Sequence, residues 1–81
     1  MATSIVANIM KRDLAEPAIK ACIDMIGSVV GEADALARAA KTCASSGEVE
    51  RAFQIALDVE PLLGEANALL QAAGVIRRRC E

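Results

Sequence analysis

Apolar residues recur at three- and four-residue spacing through nearly the whole chain, the signature of helices with one buried face. One set runs Ala15, Ala18, Ile19, Cys22, Ile23, Met25, Ile26. A second runs Ala33, Leu36, Ala37, Ala40, Cys43, Ala44, and a third Val49, Ala52, Phe53, Ala56, Leu57. A fourth is Ala66, Leu69, Leu70, Ala73, Ile76, and a shorter opening set is Ile5, Val6, Ile9, Met10. Between the sets stand residues that favour breaks. Asp13 has capping-box spacing to Glu16, with Pro17 close behind. Gly27 and Gly31 bracket Ser28 and two valines. Ser45-Ser46-Gly47-Glu48 is the clearest turn, with serines to cap and a glycine to relieve strain. Pro61 and Gly64 close the next stretch. The pattern therefore predicts an all-α chain of four to five short helices, at 3–11, 14–27, 32–45, 48–60 and 65–79. Short connections make neighbouring helices antiparallel.

The chain also repeats itself. Gly31-Glu32-Ala33-Asp34-Ala35-Leu36 returns as Gly64-Glu65-Ala66-Asn67-Ala68-Leu69, and Ala39-Ala40 returns as Ala72-Ala73. Glu16 and Ala18 match Glu50 and Ala52 one residue further on. A period of 33–34 residues is the length of a two-helix solenoid unit. The expected domain is thus a single one over 1–81, with repeats near 13–45 and 46–79. Two architectures fit: a compact helical bundle, or two and a half α-hairpin repeats. An open solenoid needs about three units for a continuous core. The second architecture therefore predicts self-association, with the first helix as the candidate dimer surface.

Composition narrows the class. With 54% hydrophobic residues the chain has enough apolar material for a core, which argues against disorder. Abundant Ala and Leu with a single aromatic, Phe53, argue against an all-β domain. Phe53 is accordingly expected at the centre of the core, ringed by Ile19, Cys22, Leu36, Ala40, Leu57, Leu69 and Ala73. Truncating a buried phenylalanine to alanine costs about 3–5 kcal/mol. Charges at Lys11, Lys20, Asp24, Glu32, Asp34, Arg38 and Lys41 interrupt the apolar stretches. They leave none near the roughly 18 residues of a membrane span. Residues 1–10 lack the basic leader and long apolar segment of a secretory signal. Cys22, Cys43 and Cys80 are an odd number, 21 and 37 residues apart. Free buried thiols in the cytoplasm or another reducing compartment are the simplest reading for Cys22 and Cys43. A Cys22–Cys43 disulfide requires two helices facing each other there, and Cys80 is expected to be exposed.

Catalytic chemistry finds little footing. Histidine, the commonest general base and metal ligand, does not occur. The cysteines lack paired metal-site spacing, and the glycines form no phosphate-binding loop. Glu48 and Glu50 are two residues apart on a helix and do not face each other. The expectation is a chain without catalytic residues, cofactor or metal. It would act as a helical adaptor or structural subunit, through a protein partner or through self-association. Arg38, Lys41, Glu50 and Gln54 are the candidate partner surface, from their polar-face positions. Arg77, Arg78 and Arg79 are candidate contacts to phosphate or acidic groups, and equally a favourable end to a helix. Two further classes fit the same residues: an RNA-associated helical-repeat protein and a small regulatory or inhibitor protein.

The segment Ser45–Phe53, SSGEVERAF, resembles the turn and second-helix start of helical-hairpin repeats of the pentatricopeptide and tetratricopeptide kind. Gly47, Glu48, Glu50, Ala52 and Phe53 stand in the order such repeats use. The pentatricopeptide resemblance implies single-stranded RNA binding through two polar residues per unit, which here fall near Arg38 and Ala66. Arginine and alanine depart from the Asn, Ser, Thr and Asp of that family. A net charge of -2 and the lack of stacking aromatics also weigh against nucleic acid. The tetratricopeptide resemblance implies a concave face for a peptide or partner helix, made shallow here by alanine at the large aromatic positions.

Overall fold

The computed structural model describes residues 2–80, with side chains described from Asp13 onward. It is all helical among those residues, but not a series of short helices. Helix α1 runs unbroken over Ala2–Ser45, 44 residues. A tight turn follows, then α2 over Val49–Leu57 and α3 over Val59–Arg79, parted by Asp58 alone. Helices α2 and α3 make one return arm, so the expected four to five helices are two antiparallel arms of a single hairpin. Neither a compact bundle nor two and a half stacked hairpins is formed. The hairpin measures 68 × 14 × 11 Å. Its radius of gyration is 19.2 Å, against about 12 Å for a compact domain of this length.

Burial explains why α1 does not break. Its buried and half-buried side chains follow a four-three alternation: Ala15, Ile19, Cys22, Ile26, Val29, Ala33, Leu36, Ala40, Cys43. The return arm alternates three-four: Ala52, Ile55, Val59, Leu62, Ala66, Leu69, Ala73, Ile76, Cys80. A mean spacing of 3.5 residues is the coiled-coil repeat, which keeps one stripe facing its partner along the full length of a helix. Pro17, Gly27 and Gly31 all lie off this stripe and are exposed. Pro17 forfeits one backbone hydrogen bond on the outer side. The two glycines lower helix propensity without touching the seam. Packing of nine consecutive seam positions overrides these local signals.

Pro61 acts differently. Its missing N–H leaves the carbonyl of Leu57 without its helical donor, and α2 ends at Leu57. Asp58 N–H instead reaches back to the carbonyl of Ile55 at 3.1 Å. Pro61 then sits in the first turn of α3, where no intrahelical donor is required.

The turn is a Schellman closure. Glu48 N–H donates to the carbonyl of Cys43 at 2.9 Å and Gly47 N–H to that of Ala44 at 3.1 Å. Gly47 takes φ +88°, which a side chain disfavours. The expected serine cap is not made. Glu48 is the N-cap of α2 without a side-chain bond, and Ser46 Oγ donates backward to the carbonyl of Thr42 at 3.1 Å.

Phe53 is not the centre of a core. It is 57% exposed, and Leu57 is exposed as well. Among the described residues the buried hydrophobics are five alanines and Val29, and no large side chain is fully buried. The other residues expected around Phe53 do lie on the seam, but strung along the length of the hairpin. Cys22 and Cys43 are on one continuous helix, about 32 Å apart at 1.5 Å per residue, too far for a disulfide between them. Cys80 is half-buried rather than exposed. The side chains of the opening segment, the expected dimer surface, lie outside the described residues.

Candidate functional site: an uncharged flank of the hairpin

In an antiparallel helical pair, the residues that follow the seam on each arm share one flank, and those that precede it share the other. The first flank carries Ile23, Val30, Ala37 and Ala44 from α1. From the return arm it carries Val49, Ala56, Leu63 and Leu70. All eight are exposed and none is charged. The largest stand well out in solvent, with Leu63 54% and Leu70 62% accessible. The opposite flank carries Ala18, Met25, Glu32 and Ala39 with Arg51, Asp58, Glu65, Ala72 and Arg79, five charges in nine positions. The same periodicity places Glu16 and Arg77 next on the uncharged flank, so charge ends the stripe away from the turn.

Near the turn the uncharged flank becomes a shallow trough of about 410 Å³. Ala37, Ala40 and Ala44 line one bank and Ala52 and Ala56 the other, with Lys41 and Phe53 at the edges. The trough confirms that Ala37 and Ala44 share a side with Val49 and Ala56. Alanine on both helices makes it: each missing side chain is space along the groove. At the far end Leu14, Ala15, Ala18, Ile76 and Cys80 line a smaller apolar hollow.

The sequence-derived surface is not a single one. Arg38, Lys41, Glu50 and Gln54 are all exposed, but Arg38 and Glu50 occupy the positions furthest from the seam on opposite arms. Arg38 Nε lies 3.0 Å from Asp34 Oδ2, and Lys20 Nζ lies 2.9 Å from Asp24 Oδ2, both pairs on the outer face of α1. Lys41 alone of the four lines the trough. Arg77, Arg78 and Arg79 fill the last turn of α3, where positive charge meets the negative helix end. Sequence reasoning missed the uncharged flank itself. The signal was present: Ile23, Val30, Ala37 and Ala44, and Val49, Ala56, Leu63 and Leu70, are each spaced by seven.

Among the described residues no helix is long and apolar enough to cross a membrane. No three of His, Cys, Asp and Glu among them are placed to hold a metal ion. The chain matches no protein-family model, and no curated protein or solved structure is significantly similar to it.

Proposed function

We propose that this chain is a non-catalytic helical adaptor or structural subunit that works through protein contacts made by its uncharged flank. The observation that carries the reading is the exposure of Ile23, Val30, Leu63 and Leu70 in one uncharged stripe while the opposite flank is charged. Large contiguous apolar patches on small proteins mark contact surfaces. The helices make the patch rigid and long, suited to another helix laid along it. Replacing Leu63 with a photo-reactive amino acid in the expressed chain tests this, with Ser28 on the outer face of α1 as control. The expected result is cross-linking to protein at position 63 and none at 28. Equal labelling, or none at 63, would sink the reading.

A further inference from the structure

We propose that the occupant of the uncharged flank is a second copy of this chain, laid turn to turn to form a four-helix bundle. This rests on the reading of the flank as a docking surface and specifies its partner. Three observations carry it.

The first is area. The chain exposes 6210 Å², whereas a compact monomer of 8.5 kDa exposes about 4,700 Å². The excess is about 1,500 Å² on each chain, more than the roughly 800 Å² that one partner gives to a standard interface. The stripe from Ile23 to Ala44 is about 32 Å long at 1.5 Å per residue, and two helices wide. A patch of that outline covers roughly 600 Å² on each copy, so pairing two buries roughly 1,200 Å². That reaches the lower end of what a specific, stable interface buries, and it uses less than half of each chain's excess.

The second is the orientation of α2. Its strongest apolar face runs through Val49, Ala52, Phe53, Ala56 and Leu57. Its own seam uses Ala52 and Ile55, which lie about a quarter-turn away at 100° per residue. Val49, Phe53 and Leu57 are accordingly exposed, and the apolar face of α2 is turned from its own seam toward the flank.

The third is shape. Phe53 stands on one bank of the alanine trough, at the level of Lys41 on the other. A two-fold axis along the hairpin sets the return arm of each copy against α1 of the other at equal height. Phe53 of each copy then lies over Ala37, Lys41 and Ala44 of the other. The small side chains leave room for the ring, and the lysine stem and ammonium cover its face. Further along, Leu63 meets Val30 and Leu70 meets Ile23. The like-charge approach of Asp34 to Glu60 of the second copy is relieved by Arg38, 3.0 Å from Asp34. A head-to-tail pairing instead sets Glu60 against its own copy and Phe53 against Asn67.

The test begins with sedimentation equilibrium of the purified chain across concentrations, with reductant present. A mass of twice 8.5 kDa is expected, with Phe53→Glu and Leu63→Glu each weakening the dimer at least tenfold while remaining helical. A wild-type monomer at every concentration overturns the proposal, as does a dimer indifferent to both substitutions. Photo-cross-linked dimers from position 63 are then isolated and mapped. Attachment near Val30 is expected, and attachment near Ala56 overturns the turn-to-turn arrangement. If the chain is monomeric and position 63 cross-links only to other proteins, the docking surface stands and the second copy does not. If position 63 cross-links to nothing, both fall.

Discussion

Along the seam the buried positions are Ala15, Val29, Ala33, Ala40, Ala52 and Ala73, while one flank away Ile23, Val30, Leu63 and Leu70 stand in water. The most deeply buried seam positions are nearly all small, while larger seam residues such as Ile19, Leu36 and Leu69 are only half-buried and Ile23, Val30, Leu63 and Leu70 are exposed. The two regions do different work. Alanine lets the arms approach closely and makes the seam long and continuous, but each methyl group withdraws little apolar surface from water. The larger side chains of the flank hold energy that burial could release and that a single chain does not collect. A hairpin built this way is specified by its seam and leaves its flank uncovered.

The sharpest way to break this comparison is to put the same charge into each region. Ala33 is 5% exposed on the seam. Ala33→Asp buries a carboxylate between the arms without a partner and is expected to cost about 3 kcal/mol or more. Thermal unfolding followed by circular dichroism should show the cooperative transition lost or shifted far down. Leu63→Glu, measured at a dilution where chains are separate, should leave the melting curve nearly in place. Similar losses from both would mean that the flank is folded into the chain's own core.

Much of this could be read in the sequence, and what could not has a physical cause. The helical class, the turn at Ser46-Gly47 and most of the seam residues follow from apolar spacing. Helix boundaries at Gly27–Gly31 and Gly64 do not survive, because propensity is local and amounts to about 1 kcal/mol per glycine, while the seam runs past all three. Phe53 was misplaced for a different reason. Within α2 alone, Val49, Ala52, Phe53, Ala56 and Leu57 make a better apolar face than the seam pair Ala52 and Ile55. Only the continuation into α3 and the turn geometry decide which face meets α1. The flank is hard to see because Ile23, Ala37, Ala44, Val49, Ala56 and Leu70 fall in the core stripes beside it, while Val30 lies at the glycine break and Leu63 in no stripe.

A pair of glycines sharpens the comparison by separating the turn that sets the register from an outer surface indifferent to it. Gly47→Ala forces a side chain into a φ of +88° and should destabilise the hairpin by about 1–2 kcal/mol. Gly31 is helical, exposed and has nothing within 4 Å of where a Cβ would stand. Gly31→Ala should therefore stabilise by about 0.5–1 kcal/mol through backbone entropy and propensity. Denaturant titrations of both variants at one fixed concentration read the opposite signs directly. A loss at position 31 would mean that the outer face of α1 is also covered.

The smallest effect within a single chain is expected at the largest side chain. Phe53 is 57% exposed, so truncation removes only part of the contact that a buried ring would lose. At concentrations where chains are separate, Phe53→Ala should cost less than about 1 kcal/mol, not the 3–5 kcal/mol of a core phenylalanine. As concentration rises, the wild type should gain stability by mass action and the variant should gain much less. The gap between their melting temperatures is then a measure of what the ring contributes outside its own chain. A gap that is large and independent of concentration would place Phe53 in an intramolecular core. A small gap that never widens would show that no second copy uses the ring.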